Sequence, residues 1–224
     1  MDPSSFAFQD PFGNSVQLIE SSNWYKEKGK DKQGGVLGVV IGVSDIQKSV
    51  KFYKEILGFD IARDMKVDSF KDLNKVAGER NEYNRVILSY TEQREGPFAK
   101  LLGSNEIELI QILNKKPRVI FQDRYWGDQG FIHLCFDVQG MSSLKNKCNK
   151  NGYPFTVDSA DSFDMGKAAG RFAYIEDPDG TLIEFVETHK IPILPQIGWY
   201  YNLSKRGKAH LPDWLIKLMF IGSK

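Results

Sequence analysis

The sequence predicts an α+β protein made of successive βαβββ modules, and three observations carry that prediction. An Asp-Pro-x-Gly hairpin turn occurs twice, at Asp10-Pro11-Phe12-Gly13 and at Asp177-Pro178-Asp179-Gly180. Two stretches, opening near Val36 and Phe131, each run strand, helix, short strand and final strand pair. Within each stretch the apolar residues switch between alternation and 3–4-residue spacing, the periods of strand and helix.

Taken in order, residues 6–20 read Phe-Ala-Phe-Gln-Asp-Pro-Phe-Gly-Asn-Ser-Val-Gln-Leu-Ile-Glu, two strands around a turn. Proline presets the φ of the first turn position and glycine accepts a positive φ after it. Aligned on the turn, Gln17 falls where Glu184 falls in the second copy. Residues 1–20 therefore read as the terminal hairpin of an incomplete preceding module, in preference to a hairpin that completes a sheet in an unusual way, and 21–35, with Gly34-Gly35, as a linker. The first full module spans 36–113. Its opening strand is 36–43, and Ser44-x-x-Gln47 has the pattern of a capping box. Ile46, Val50, Tyr53 and Leu57 then make one apolar helical face, Gly58 ends the helix, and strands follow near 59–64, 84–91 and 106–113. The insert at 65–82 reads as loop or short helix.

The second module, 131–188, repeats the order. It has a strand at 131–138 and a helix at 141–151 with Met141, Leu144 and Cys148 on one face. Asn151-Gly152 stops that helix, and a short strand near 154–157 and a hairpin at 171–187 follow. Residues 158–170 read as a loop or short helix. The remainder, 189–224, departs from the repeat. Pro192, Pro195 and Gly198 interrupt it, and Pro212 opens a short helix carrying Trp214, Leu215, Leu218 and Met219. Those side chains are expected to pack on the module core or on a partner subunit, the second case making a homodimer.

Composition narrows the function classes. With 41% hydrophobic and 26% charged residues among 224, the chain is far from the signature of disorder. A formal charge of +1 offers no field for nucleic acid or an anionic membrane. No apolar run nears the ~20 residues of a membrane span, and Met-Asp-Pro-Ser-Ser-Phe does not read as a secretory signal. The two cysteines, Cys135 and Cys148, form no Cys-x-x-Cys motif. A cytoplasmic, reducing compartment is the expectation.

Val43-Ser-Asp-Ile-Gln-Lys-Ser-Val-Lys-Phe-Tyr-Lys-Glu-Ile-Leu-Gly-Phe59 and Asp177-Pro-Asp-Gly-Thr-Leu-Ile-Glu-Phe-Val186, with His133 in the strand that opens the second module, resemble the vicinal-oxygen-chelate superfamily. That group includes glyoxalase I, extradiol dioxygenases and bleomycin-resistance proteins. The resemblance covers roughly residues 36–188 and implies paired modules whose mixed sheets curl around a shared cleft. It further implies that the opening and closing strands of each module can offer metal ligands. Carried over, those positions are Gly38, Glu108, His133 and Glu184. Gly38 departs from the pattern, since glycine has no ligating side chain.

On that resemblance Glu108, His133 and Glu184 are the candidate ligands of a divalent ion (Mn, Fe, Co, Ni, Zn or Mg). Glu184 is the candidate catalytic group, moving a proton on a small oxygen-rich substrate. The implied function is that of an isomerase, lyase or dioxygenase. The alternatives are a metal-free small-molecule-binding protein and a structural part of a larger multi-module protein. Read from the residues alone, His133 in a strand is more often a hydrogen-bonded structural residue, and Glu108 shares a face with Glu106. Glu184, mid-strand between Ile183 and Phe185, needs a partner if it is buried. Cys135 and Cys148 read as small apolar residues. Gly38, Val40 and Gly42 share a face whose small size leaves room for a ligand, and a histidine at 38 is expected to add a fourth metal ligand. The Arg124–Asp128 segment reads as a substrate-lining loop or a packed connector.

Overall fold

The computed structural model describes residues 5–21, 35–65, 82–120, 122–160, 163–164, 169–194, 197–204 and 206–221. Nearly all of the expected linker at 21–35 and insert at 65–82 lies outside these residues. The described chain forms two compact units. Unit 1 comprises Met1–Glu92, Ser104–His133 and Asp177–Thr181, and unit 2 comprises Gln93–Gly103, Leu134–Glu176 and Leu182–Lys224.

Unit 1 contains a two-stranded sheet and a four-stranded one. Strands β1 (Ser5–Gln9) and β2 (Ser15–Ile19) pair antiparallel across the Asp10–Gly13 turn. The larger sheet has the order β3-β6-β5-β4, from β3 (Gly38–Gly42), β4 (Ile61–Met65), β5 (Tyr83–Ser89) and β6 (Glu106–Ile112). Strand β3 runs parallel to β6, and the other pairs are antiparallel. Helix α1 (Ile46–Leu57) packs across β5 and β6. Its face of Ile46, Ser49, Phe52, Tyr53, Ile56 and Leu57 is buried with Val86, Leu88, Ile107 and Leu109, which makes the core of the unit.

The start of α1 differs from the capping box. The N-cap is Asp45, not Ser44, and its Oδ1 accepts the backbone N–H groups of Gln47 (3.0 Å) and Lys48 (3.1 Å). Gln111 on β6 explains the shift. Its amide accepts the Ile46 N–H (3.2 Å) and donates to the Ser44 carbonyl (2.9 Å), so Ser44 is held in the strand-to-helix corner. Gly58, at φ 79°, closes the helix in the left-handed conformation that glycine adopts without strain.

Unit 2 has a six-stranded sheet. Its path is β12-β11-β10-β8, with β7 also on β11 and β9 on β10. The strands are β7 (His133–Asp137), β8 (Val157–Asp158), β9 (Phe163–Asp164), β10 (Ala169–Glu176), β11 (Leu182–Leu194) and β12 (Trp199–Asn202). Helices α2 (Ala99–Leu102), α3 (Met141–Lys150) and α4 (Asp213–Ile221) complete it. Strand β11 runs seven residues past the hairpin end expected at 187, because β12 pairs with its extension. The C-terminal segment belongs to this unit's core. Helix α4 packs on β11 and buries Leu215 and Ile216, with Leu203 and Leu211 buried nearby. A polar knot ties the strands together: Asp158 accepts from Arg171 Nε (3.0 Å) and Nη2 (2.7 Å) and from Lys145 Nζ (3.0 Å). These charges hold the Asp158 carboxyl well below the usual carboxylate range. No described helix is long and apolar enough to cross a membrane.

Candidate ligand-binding face

In unit 2 the alternation of β10 and β11 separates two faces. Ala173, Ile175, Ile183 and Phe185 are fully buried on one. Phe172, Tyr174, Glu184 and Val186 stand half-buried on the other. Strand β7 carries exposed His133, Cys135 and Asp137 on alternate positions. Tyr174 lies directly opposite Glu184 in the strand register. The Cys135 thiol is pushed up to about 12 by burial and by the charge and hydrogen bonding of Glu184. Burial and Glu184 also push the Tyr174 hydroxyl well above its ordinary value. Glu184 thus acts as an acceptor, and Cys135 stays a thiol rather than a nucleophilic thiolate. Cys135 keeps solvent access as a residue although its thiol is partly desolvated, while Cys148 is buried as a small apolar residue.

A second polar group closes the same unit. Glu187 accepts the N–H groups of Gly140 (2.5 Å) and Met141 (3.4 Å), capping α3, and lies 3.3 Å from His189 Nε2. Asp137 is raised to about 7, first by partial desolvation of its carboxyl and then by the Glu187 carboxylate. An open cavity of about 220 Å³ borders this group, lined in part by Gln139, Glu187, Thr188, His189 and Ser204. Strand alternation puts Asp137 on the His133 face, but nothing in the sequence pairs it with Glu187.

In unit 1 the corresponding sheet face reads differently. Glu108 forms an ion pair with Arg85, whose Nη2 donates to Oε2 at 3.0 Å, and both side chains are nearly buried. Glu106 pairs with Arg63 at 3.1 Å, well exposed. Gly38 leaves no vacant corner. It lies opposite Glu106 in the parallel β3–β6 ladder, and a Cβ built on it would overlap the Glu106 carbonyl oxygen and come within 3.1 Å of its carbon. The glycine is there because two backbones meet closely. Room is found instead at Gly42, where nothing lies within 4 Å of such a Cβ.

His133, assigned to unit 1, stacks on Trp126 with ring centroids 5.8 Å apart and planes 13° apart. Trp126 and Tyr125 are largely exposed, and their segment is held by its own contacts. The Tyr125 N–H donates to Asp128 at 2.8 Å, and Arg124 donates to the Gln129 carbonyl.

A divalent ion needs several convergent donors, and the residues of unit 1 do not fit one. Of its two closing- and opening-strand positions, one is a glycine with no space for a side chain. The other is a carboxylate already neutralised by a guanidinium that would repel a cation. Among the described residues no three His, Cys, Asp or Glu side chains are grouped to hold a metal ion. Arg85 is the residue that sequence reasoning missed. Its pairing with Glu108 depends on the β5–β6 register, which no local pattern reveals.

Two βαβββ sheets with open faces and a carboxylate at the same place in each closing strand define a class of protein. The chain belongs to the Glyoxalase/Bleomycin resistance protein/Dioxygenase superfamily, whose family model matches residues 35–185. A probable lactoylglutathione lyase from Synechocystis is 25% identical over 153 residues, covering 68% of this chain and 95% of that protein. A glyoxalase family protein from Bacillus cereus is 16% identical with a TM-score of 0.49, covering 73% of this chain and 99% of its own. The trypanothione-dependent glyoxalase I of Leishmania major is 24% identical with a TM-score of 0.43, covering 69% and 87%.

Proposed function

We propose that the chain binds a small organic molecule on the open β7-β11-β10 face, without a metal at the superfamily's usual ligand positions. The observation that supports this is the state of unit 1: Arg85 occupies Glu108, and the β6 backbone excludes a side chain at position 38. On the unit 2 face, Phe172 and Tyr174 meet edge to face with centroids 6.1 Å apart and offer aromatic surface. Glu184 offers an acceptor beside them. The ligand this suits is partly aromatic or apolar and carries a hydrogen-bond donor, held in the way general for small-molecule sites: apolar walls with few polar anchors.

A second reading, a metal-dependent lyase, isomerase or dioxygenase using Glu108, His133 and Glu184, draws on the relative named as a probable lactoylglutathione lyase. Metal analysis of protein purified without chelator or polyhistidine tag separates the two. The proposal expects no stoichiometric divalent metal and no calorimetric signal for Mn²⁺, Ni²⁺ or Zn²⁺ that Glu184→Ala abolishes. A stoichiometric ion lost on Glu184→Ala overturns it in favour of the enzyme.

A further inference from the structure

The hairpin β1–β2 repeats the register and turn geometry of β10–β11. Aligned on the turns, Phe6↔Leu18 corresponds to Ala173↔Phe185, and Gln9↔Ser15 to Glu176↔Leu182. Asp10 Oδ1 accepts the N–H groups of Phe12 and Asn14, as Asp177 Oδ1 accepts those of Asp179 and Thr181. Gly13 and Gly180 share φ of 85° and 82°.

Burial separates the copies. Phe6, Phe8, Val16 and Leu18 occupy the places of Ala173, Ile175, Ile183 and Phe185, all four of which are fully buried. In β5–β6 the same places are Val86, Leu88, Ile107 and Leu109, buried too. On β1–β2 the side chains stand open: Phe6 is 64% exposed, Phe8 40% and Leu18 55%, with Phe6 and Phe8 stacked on each other. Among the described residues this sheet has two strands only. A lone hairpin is marginal in water, and a clustered apolar face marks an interaction surface.

The other two hairpins show what belongs there. Each has an opening strand beside its second strand, β3 on β6 and β7 on β11. Each has a short strand beside its first, β4 on β5 and β8 on β10. The β5–β6 face is covered by α1, and Phe155, which follows α3, packs its ring 6.1 Å from Phe185. In both cases the strand–helix–strand half precedes its hairpin in the same chain.

We propose that β1–β2 is the closing hairpin of a third module, and that its apolar face docks a strand–helix–strand half-module carried ahead of Ser5 on the same polypeptide. The docking helix would present an apolar stripe at 3–4-residue spacing, like that of Ile46, Phe52, Tyr53 and Ile56. Its strands would add to the outer edges of β1 and β2, which pair with no third strand among the described residues. This inference is independent of what binds on the unit 2 face.

The test is intact-mass analysis of the protein isolated from its natural source, with hydrogen exchange on residues 5–19 in that protein and in the 224-residue chain. The expected result is a polypeptide heavier than 25.5 kDa by at least a strand–helix–strand segment, roughly 30 residues. Its β1–β2 amides should be protected at least tenfold more than in the 224-residue chain, and Leu18→Ser should remove that difference. A natural mass of 25.5 kDa, or a longer polypeptide whose residues 5–19 exchange as in the shorter chain, overturns the proposal. So does sedimentation of the 224-residue chain as a dimer that Leu18→Ser dissociates, which assigns the face to a second copy.

Discussion

Glu108 and Glu184 occupy one position in two copies of the same module. Glu108 lies opposite Ile87 on β5, and Glu184 opposite Tyr174 on β10. The residue two places earlier on the neighbouring strand differs: Arg85 in unit 1, Phe172 in unit 2. Arg85 reaches diagonally to Glu108 and turns it into half of an ion pair. With Phe172 in that place, Glu184 is left to hydroxyl and thiol neighbours on an open face. A single neighbouring side chain thus decides whether the carboxylate is paired with a guanidinium or accepts from a tyrosine hydroxyl and a thiol.

Removing each carboxylate in turn gives the strongest test of that contrast. Glu108→Ala strands a nearly buried guanidinium and is expected to cost about 3–5 kcal/mol. Glu184→Ala removes an acceptor from neutral donors on a half-exposed face, about 1 kcal/mol. Urea denaturation of both variants checks this, and equal losses would remove the distinction.

Next in size is the effect at position 38. Gly38→His is expected to destabilise unit 1 by on the order of 3 kcal/mol, because a side chain must displace the β6 backbone. It should not raise affinity for any divalent ion. Gly42→Ala, on the same strand face but in open space, should change stability by only about 0.5 kcal/mol. Tight metal binding by the Gly38→His protein would mean that β3 and β6 yield, and would reopen a metal-centred site.

The smallest expected effect is a pH dependence peculiar to unit 2. Asp137 is raised from 3.8 to about 7, so the fold favours its protonated form. The stability this confers is fully present below pH ~4 and is lost as pH rises through about 7. Asp158, held low by Arg171, works in the opposite sense: its contribution is present above pH ~4 and is lost as pH falls below that. Melting temperatures between pH 4 and 8 should therefore decline for the parent chain and flatten for Asp137→Asn. A decline that survives in Asp137→Asn would assign it to another group.

Much of the fold was legible in the residues. The repeated Asp-Pro-x-Gly turns, the helix stops at Gly58 and Gly152, and the switch of apolar period placed the two long helices and the main hairpins to within a few residues. The errors were those of local reading. Ser44 has the residue pattern of an N-cap, but Gln111, more than 60 residues away, draws it into the corner and passes the role to Asp45. Gly38 reads as spare room, yet it marks a close backbone contact. Tyr53 reads as one more apolar residue on α1, yet its buried hydroxyl donates to the Asp177 carboxylate at 2.9 Å.

The module, its repetition and the turn chemistry are legible in the residues alone, since periodicity and backbone preference are properties of neighbouring residues. It takes the folded sheets to pair Glu108 with Arg85, to close position 38 to a side chain, and to set Glu184 beside Tyr174 and Cys135. Those outcomes depend on strand register, which brings together pairs as far apart in the chain as Gly38 and Glu106, and a one-residue slip would send each side chain to the other face.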